Sequence, residues 1–541
     1  MRTGLFLSRD DGTISETVDV DALAKAYSSL AVAKVYDSFF RYADQQDLLN
    51  TVSESKLDAV VLAGNSPRYF EQVLGGHLVL DALKGRGINA NKLAFANIKE
   101  QVALPHKGDR EKATSKARTL IDVALAKVEA SPAVSSTLLT PRRSVLVVGT
   151  TAGGLIVASE LISKGYRVYI MESGPSLRLE ASLKDELLPI LTSLESNDRA
   201  KFFFDAAITD LFGYCGQYTV RLTSAGGEHT FAAGGIILSA GNDPAFVKTL
   251  RSTLRLSISR DGLPEQDGTR VGQTTDPGIW FIPFTENSGA LGAEVSGAAT
   301  AVLSLTTVLD AAELEHPVFA TTIDEALCGG CGTCVKTCAF SASRIDLARK
   351  LSVIDPERCK GCGNCVTACP TGARDLQSFP REYVTRAIHL LGQARAANGD
   401  PRILAIFCKT CGQLAVDAAG AATTQAAGEA YSPGVMPLLV ECGGSVDTQY
   451  VLEAFREGFD GVALLMCRDG HCHNIVGNTD MERRLGLFRT VLRSRNIDGE
   501  RLRVLPVCAG DGPLVSEELK AFSHDLTAMG GVGIKEVISN E

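Results

Sequence analysis

The sequence, 541 residues long, predicts a multidomain α/β protein. Apolar segments with strand character alternate with helical segments both before residue 310 and after residue 400. A glycine-rich turn joins a strand to a helix near residue 150. Fourteen of the fifteen cysteines fall between Cys328 and Cys508, which confines any cysteine-based metal chemistry to the C-terminal half.

Composition excludes several classes of protein. Hydrophobic residues make up 45% and charged residues 22% of the chain, the ordinary balance of a globular protein. A net charge of -9 gives no cationic surface for a phosphate backbone, so we expect no nucleic-acid partner. The N-terminal segment MRTGLFLSRDDG lacks an apolar signal core, and no run of about 18 uncharged apolar residues follows. We therefore expect a cytoplasmic protein without a membrane span of its own, whose clustered cysteines bind metal rather than form disulfides.

Four domains are predicted in order along the chain. The first alternates short strands with helices and ends in the Ser- and Pro-rich linker ASPAVSSTLLTPRR. The second restarts as strand, glycine turn, helix and strand, and Glu172 closes its second strand where a ribose-binding acid belongs in a dinucleotide fold. The cysteine-rich domain follows, and four apolar strands alternating with helices then predict a C-terminal parallel α/β domain. The boundaries are residues 1–130, 141–315, 320–380 and 398–541.

Two cysteine motifs define the third domain. Both have the spacing C-x2-C-x2-C-x3-C, in which three cysteines bind one [4Fe–4S] cubane while the fourth crosses to its neighbour. A zinc ribbon is the alternative, but zinc sites use paired C-x2-C ligands rather than triplets with a remote partner. We expect an inserted α+β domain of the bacterial ferredoxin type with two clusters. The first cluster is assigned to Cys328, Cys331, Cys334 and Cys369, and the second to Cys359, Cys362, Cys365 and Cys338.

A further set of cysteines follows the strands of the last domain. Because the carboxyl ends of parallel strands meet at one edge of the sheet, cysteines distant in sequence can converge there. The sequence therefore predicts another iron–sulfur cluster at this edge. The cysteines at or just beyond the predicted strand ends are Cys408, Cys411, Cys442, Cys467, Cys472 and Cys508.

The segments CKTCG, ECGGSVDTQYVLEAFREGFDGVALLMC and RDGHCHNIVGN resemble the delta subunit of methyl-viologen-reducing (F420-non-reducing) hydrogenase. The resemblance implies a [2Fe–2S] cluster that links an electron source to heterodisulfide reductase. Cys508 has no counterpart in that family, and both a buried packing role and a ligand role stay open for it. For His471 and His473 we favour a structural or solvent-facing role. Four of the following five cysteines should bind the cluster: Cys408, Cys411, Cys442, Cys467 and Cys472.

The first 310 residues and the ferredoxin insert resemble the A-type subunit of heterodisulfide reductase. The segments that carry the resemblance include DDGTISETVDVDAL, GNSPRYF, SVLVVGTTAGG and LFGYCGQYTVRL. In that family the first domain holds its own [4Fe–4S] cluster. This chain has Ser8, Asp10, Asn65 and Val102 where the cysteines would fall, and none supplies a thiolate. We therefore expect that cluster to be absent.

The same resemblance implies an FAD domain, shortened in this chain. Thr151 stands at the central position of the turn, where a glycine would admit the pyrophosphate. The segment PGIWFIPFTEN also lacks the Gly-Asp pair that meets the flavin. FAD binding and a degenerate flavin fold kept as a scaffold both remain open. The candidate FAD residues are Gly149, Gly153, Gly154, Glu172 and Gly241.

The combination of these parts resembles the second subunit of the quinone-interacting membrane-bound oxidoreductase complex. It implies an electron-transfer subunit of a cytoplasmic complex, peripheral to a membrane only through its partners. The implied partners are hydrogenase, formate dehydrogenase, heterodisulfide reductase-like or quinone-oxidoreductase subunits, with a flavin or a second partner at the other end. The alternative is an FAD-dependent oxidoreductase that performs its own flavin chemistry or electron bifurcation. No nucleophile–base pair or catalytic carboxylate pair is evident, so no catalytic residues are assigned.

Overall fold

The computed structural model forms two compact units. The first unit combines Met1–Val134 with Phe319–Glu541, and the second is Ser135–Val318. Each unit is described by itself below. The structure describes residues 1–72, 76–106, 108–179, 183–239, 244–254, 256, 258, 262–266, 271–274, 276–282, 290–394, 400–421 and 431–530.

The N-terminal domain is a parallel sheet with helices on its faces. Strands β1 and β3 are buried along their whole length, as expected for parallel strands covered on both sides. A short π-helical segment, Lys99–Ala103, follows the last strand. The sheet order is β2-β1-β3-β4. The elements are β1 Thr3–Ser8, α1 Val20–Ala26, β2 Val32–Tyr36, α2 Tyr42–Glu54, β3 Ala59–Gly64, α3 Pro67–Gln72, α4 Gly76–Gly85, β4 Leu93–Asn97 and α5 Arg110–Ala130.

The second unit contains a five-stranded parallel sheet and a three-stranded antiparallel sheet. Its elements are β5 Ser136–Leu139, β6 Ser144–Val148, α6 Ala152–Ser163, β7 Arg167–Met171, α7 Lys184–Glu195, β8 Ala200–Phe203, β9 Ala207–Tyr214, β10 Gln217–Ser224, β11 Gly227–Ala233, β12 Gly235–Leu238, α8 Pro244–Leu254, β13 Ile279–Phe281, α9 Ala290–Leu309 and β14 Leu314–Pro317. The parallel sheet has the order β13-β12-β6-β7-β8. The glycine turn therefore follows the central strand, β6, as in a Rossmann-like dinucleotide fold.

One helix of the second unit is apolar along most of its length. Within the described residues, the segment Leu291–Leu309 of α9 is long and apolar enough to cross a membrane, with a mean hydropathy of 1.3. The helix packs against α6, and its Ala298, Ala301 and Leu305 side chains are fully buried. Burial explains only part of the apolar composition, since 39% of the segment is buried and Leu303 on the same helix is 70% exposed.

The cysteine-rich domain consists of two antiparallel strand pairs and two short helices. Strand β15 pairs with β18, and β16 pairs with β17. The backbone at Gly332 and Gly363, just before the short helices, has φ values of 77° and 82°, which glycine adopts without strain. The elements are β15 Thr321–Ile323, α10 Thr333–Lys336, β16 Ser343–Asp346, β17 Leu351–Ile354, α11 Asn364–Thr367 and β18 Arg374–Leu376, followed by α12 Arg381–Gln393.

The C-terminal domain is a four-stranded parallel sheet with the order β20-β19-β21-β22. The elements are β19 Ile403–Cys408, α13 Cys411–Ala421, β20 Val435–Val440, α14 Thr448–Arg456, β21 Gly461–Cys467, α15 Gly477–Ser494, β22 Leu502–Val507 and α16 Gly512–Met529. Because the strands are parallel, their carboxyl ends share one edge of the sheet.

A buried polar cluster joins the N-terminal and C-terminal domains within the first unit. The Asp417 carboxylate on α13 accepts hydrogen bonds from Ser66 Oγ at 2.5 Å, Asn97 Nδ2 at 3.0 Å and Gln101 Nε2 at 2.8 Å. Glu100 lies in the same cluster and accepts from the Ser66 amide at 2.9 Å. Hydrogen bonds between buried polar groups therefore connect segments that lie more than 300 residues apart in sequence.

The two carboxyl groups of this cluster have raised pKa values. Burial raises the pKa of Asp417 to about 6, and burial together with the Asp417 charge raises the pKa of Glu100 from 4.5 to about 7. Between pH 4.5 and 7 the folded protein holds the Glu100 proton longer than the unfolded chain does, so stability falls as pH rises through this window. A neutral glutamine at this position does not carry the buried negative charge that lowers stability at higher pH.

We therefore expect Glu100→Gln to stabilise the protein above pH 7 by about 3 kcal/mol, an effect that disappears toward pH 4.5. Chemical denaturation followed by circular dichroism at pH 8 and at pH 5 measures this difference. Glu54→Gln, an exposed change on α2 of the same domain, is the matched control and should have little effect at either pH. An equal shift for Glu100→Gln at both pH values would contradict the assignment.

Candidate metal centres

Two cysteines of the first set contact Ser352 on β17. The Ser352 amide donates to Cys328 Sγ at 3.4 Å, and its hydroxyl lies 3.1 Å from Cys334 Sγ. Hydrogen bonding with Thr333 lowers the pKa of Cys331, and the neighbouring Cys369 acts in the opposite direction. Cys369, from the second motif, is therefore close enough to Cys331 to affect its pKa.

The second set lines one small cavity. Cys338, from the end of the first motif, faces this cavity together with Cys359, Cys362 and Cys365. Burial raises the pKa of Cys365 to about 11 and also raises that of Cys362. Buried thiols of this kind lose their protons when a metal coordinates them, because the cation supplies the compensating charge. The cavity is lined by all four cysteines of the second set, whose thiols a bound metal would deprotonate.

The C-terminal site gathers five buried cysteines at the carboxyl edge of the sheet. Cys408 ends β19 and Cys467 ends β21, and their sulfurs are 3.7 Å apart. The sulfurs of Cys442 and Cys472 are 4.0 Å apart. The remaining thiol of the set, Cys411, begins α13 and contacts Cys467. Sequence reasoning placed these residues at strand ends, and the structure brings all five together.

A histidine that sequence reasoning set aside also faces this site. His473 Nδ1 lies 3.8 Å from Cys467 Sγ and 4.0 Å from Cys411 Sγ. The three ligand atoms lie within 4.8 Å of one another, as in a metal-binding group. Its position in the sequence could have indicated this, because His473 directly follows Cys472 on the loop after β21. Cys508, in contrast, is half-buried just after β22, and its amide donates to Asp511 at 2.6 Å.

Hydrogen bonds between thiols raise the pKa of some cysteines at the C-terminal site and lower the pKa of Cys408 and Cys472. Hydrogen bonding with Cys408 and other thiols, together with burial, raises the pKa of Cys467. Hydrogen bonding with Cys472, together with burial, raises the pKa of Cys442. Several adjacent buried sulfurs cannot all carry negative charge without a metal to neutralise them.

The loop of the second set packs directly on the C-terminal site. Thr367 Oγ1 donates to the Gly444 carbonyl at 3.0 Å. A Cβ atom on Gly444 would lie 2.4 Å from Asn364 Oδ1 and 3.0 Å from the Cys362 carbonyl, so only glycine permits this approach. The two chain segments that carry these cysteine sets are therefore in direct contact.

The glycine turn of the second unit has the backbone that the sequence predicts. Gly149 has a φ of 97°, and a Cβ on Gly154 would come within 2.5 Å of the Gly149 carbonyl. Glu172 follows β7 and is 2% exposed. Its carboxylate accepts from the Thr150 amide at 3.0 Å and from the Thr150 hydroxyl at 2.8 Å. Gly241, the remaining candidate, lies outside the described residues.

The residues around this turn do not fit the pyrophosphate of FAD. The Gly153 amide at the N-terminus of α6 donates to the buried Glu294 carboxylate at 2.5 Å. Thr151 fills the central position of the turn, and its hydroxyl lies 2.6 Å from Ser239 Oγ. A diphosphate would have to displace Glu294 from the helix N-terminus, where dinucleotide folds place their phosphates.

Three of the four residues at which the resemblance places N-terminal cluster cysteines lie together. Asp10 accepts from Asn65 Nδ2 at 2.9 Å, and the Asp10 amide donates to Ser8 Oγ at 3.0 Å. Lys99 forms an ion pair of 2.8 Å with Asp10. Val102 is fully buried nearby in the π-helical segment. Charged and polar side chains thus contact one another at these positions.

The cysteine sets define an iron–sulfur protein. Residues 321–373 and 351–413 match models of 4Fe-4S dicluster domains, and residues 403–530 match the model of the delta subunit of methyl-viologen-reducing hydrogenase. The D-type iron-sulfur subunit of the F420-non-reducing hydrogenase vhc of Methanococcus voltae is 30% identical over 141 residues, which is 26% of this chain and 94% of that protein. Through its C-terminal domain, the chain belongs to this delta-subunit family.

The chain is also similar to heterodisulfide reductase over part of its length. The A-type subunit of the ferredoxin:CoB-CoM heterodisulfide reductase of Methanosarcina mazei is 34% identical over 245 residues, or 44% of this chain. The match covers 29% of that relative, so this chain spans less than a third of it. Among solved structures, Thermovibrio ammonificans THI4 shares 16% identity over 31% of this chain and 92% of that chain, with a TM-score of 0.22. That similarity is too low to bear on function.

Proposed function

We propose that the chain is an electron-transfer subunit of a multi-subunit redox complex. It relays electrons through two [4Fe–4S] clusters and one [2Fe–2S] cluster. The observation that carries the proposal is the contact between the Cys362–Thr367 loop and the Cys442–Ser445 loop, made possible by Gly444. Electron transfer requires redox centres that lie close together and does not require a substrate pocket. The contact between these two segments brings two of the proposed cluster sites close together.

The proposed ligands follow the three cysteine sets. One cubane uses Cys328, Cys331 and Cys334, with Cys369 crossing from the second motif. The other uses the set that lines the small cavity, with Cys338 crossing from the first. Four of the five C-terminal thiols hold the [2Fe–2S] cluster, and backbone amides such as that of Gly412, 3.3 Å from Cys408 Sγ, adjust its potential.

The named relatives support other redox subunits, of hydrogenase and heterodisulfide reductase type, as partners. The relay would join a hydrogenase, formate dehydrogenase, heterodisulfide reductase-like or quinone-oxidoreductase subunit to a flavin or a second partner. Reducing conditions keep such thiol-rich sites intact, so we propose a cytoplasmic location. The alternative, an FAD enzyme with its own flavin chemistry, is disfavoured because Glu294 holds the Gly153 amide. The second unit then acts as a scaffold.

Purification of the full chain without oxygen tests the proposal. We expect about ten iron and about ten acid-labile sulfide ions per chain, substoichiometric flavin, and electron paramagnetic resonance signals from reduced [4Fe–4S] and [2Fe–2S] centres. Stoichiometric, reducible FAD would instead support the flavin enzyme. A preparation with all cysteines but no iron would reject the relay.

The C-terminal site has a second candidate metal. The 3.7 Å separation of Cys408 and Cys467 sulfurs, with Cys411 and His473 close by, also suits the four ligands of one tetrahedral zinc ion. Zinc is redox-inactive, so the relay would then end at the cubanes. A content of about one zinc and about eight iron ions per chain would support a zinc ion at the C-terminal site.

A further inference from the structure

A buried arginine lies between the two cubane sites. Arg374 begins β18 and is 1% exposed. Its guanidinium donates to Cys334 Sγ of one set at 3.4 Å and to Cys365 Sγ of the other at 3.8 Å. It also donates to Ser352 Oγ at 2.5 Å and to Thr321 Oγ1 at 3.0 Å. One side chain therefore contacts a proposed ligand of each cluster.

The partners of Arg374 come in equivalent pairs from the two halves of the domain. Cys334 and Cys365 are the third cysteines of the two motifs. Thr321 and Ser352 each precede the first cysteine of a motif by seven residues. The guanidinium therefore lies near the pseudo-two-fold axis that relates the two halves, and it faces both clusters in the same way.

Arg374 itself breaks that symmetry. It stands five residues after the last cysteine of the second motif, and the residue five after the last cysteine of the first motif is Ser343. Ser343 is buried and small. Two arginines would crowd the axis with two like charges, whereas one arginine and one serine leave room for a single guanidinium.

The arginine charge has no carboxylate among its hydrogen-bond partners in the described part of the chain. Those partners are two hydroxyls and two cysteine sulfurs. A buried cation without a counterion is costly. Cluster-bound thiolates would supply the missing negative charge on both sides.

We propose that Arg374 is a positioning residue that raises the reduction potentials of both cubanes together. This inference rests on the proposed function. Each cubane takes one electron from its donor and passes the same electron to its acceptor, with no bond made or broken in the protein. The added electron makes the cluster more negative, and a nearby fixed positive charge and its hydrogen bonds stabilise that reduced form.

Redox titration of the anaerobically purified full chain, followed by electron paramagnetic resonance, tests the inference. Arg374→Met should move both cubane midpoints to more negative values, and the C-terminal centre should shift less. Arg344→Met removes the same charge from an exposed position in the same domain, where solvent screens it, and should leave the midpoints unchanged. Unchanged midpoints in Arg374→Met, or a shift of one cubane only, would overturn the inference.

A second pair of variants tests the inference in case the methionine variant does not assemble its clusters. If Arg374→Met loses its cubanes, the neutral Arg374→Gln is compared with the charged Arg374→Lys. More negative midpoints in the glutamine variant support the inference, and equal midpoints reject it. If neither variant assembles cubanes, Arg374 acts in assembly alone and the inference is rejected. Absence of cubane signals in the unaltered chain would instead reject the proposed function itself.

Discussion

Replacing Cys467 with serine is expected to abolish the C-terminal cluster while both cubanes remain. Cys467 is central to its site, since its sulfur lies 3.7 Å from that of Cys408 and 3.8 Å from His473 Nδ1. It also contacts the thiols of Cys411 and Cys472. A serine hydroxyl lacks the soft, easily ionised sulfur that an iron–sulfur cluster needs. Iron should fall from about ten to about eight ions per chain.

The control for this change is Cys508→Ser. Cys508 follows the neighbouring strand β22, so it occupies a similar place in the fold. It is half-buried, whereas the five thiols of the C-terminal site are buried. Iron content and the [2Fe–2S] signal should be unaltered in this variant. Retention of the signal in Cys467→Ser, or its loss in Cys508→Ser, would show that the ligand set has been misassigned.

The sequence is a good guide to those parts of the structure that depend on local pattern. The C-terminal strands end in cysteines, as in β19 at Cys408 and β21 at Cys467, and parallel strands align their carboxyl ends by geometry. Convergence of these thiols could therefore be predicted. Motif spacing also predicts that Cys338 and Cys369 cross between the clusters, and Cys338 lines the cavity of the second motif.

Contacts set by packing between distant segments could not be predicted. Glu294 reaches the Gly153 amide from 141 residues away, and the sequence gives no sign that a carboxylate replaces the phosphate there. Ser66 meets Asp417 across 351 residues. Arg374 is one of many arginines in the sequence, and only the pairing of β15 with β18 places it between two cysteine sets. The roles of such residues can be inferred only when the tertiary structure shows which residues lie next to them.

Replacing Gly477 with alanine is expected to empty the C-terminal site without removing any cysteine. Gly477 begins α15, and a Cβ atom there would lie 2.4 Å from Cys442 Sγ and 3.3 Å from Cys472 Sγ. Real Cβ atoms do not approach sulfur so closely, so the Cys442 side chain or the helix must move. Either movement separates the sulfurs, and most of the [2Fe–2S] signal should be lost while the cubane signals persist.

Gly486→Ala is the matched control, because the same substitution falls in the same helix at an exposed position with no atom within 4 Å of the new Cβ. Alanine is the better helix former, so this variant should gain up to about 1 kcal/mol of stability and keep its full cluster content. Thermal unfolding and iron content measured on both variants separate the two effects. Equal iron in both variants would mean that the space between Cys442 and Cys472 is not the cluster site. A loss confined to Gly477→Ala would show that the cluster depends on the close approach of α15 to these sulfurs, a requirement that cysteine spacing alone does not reveal.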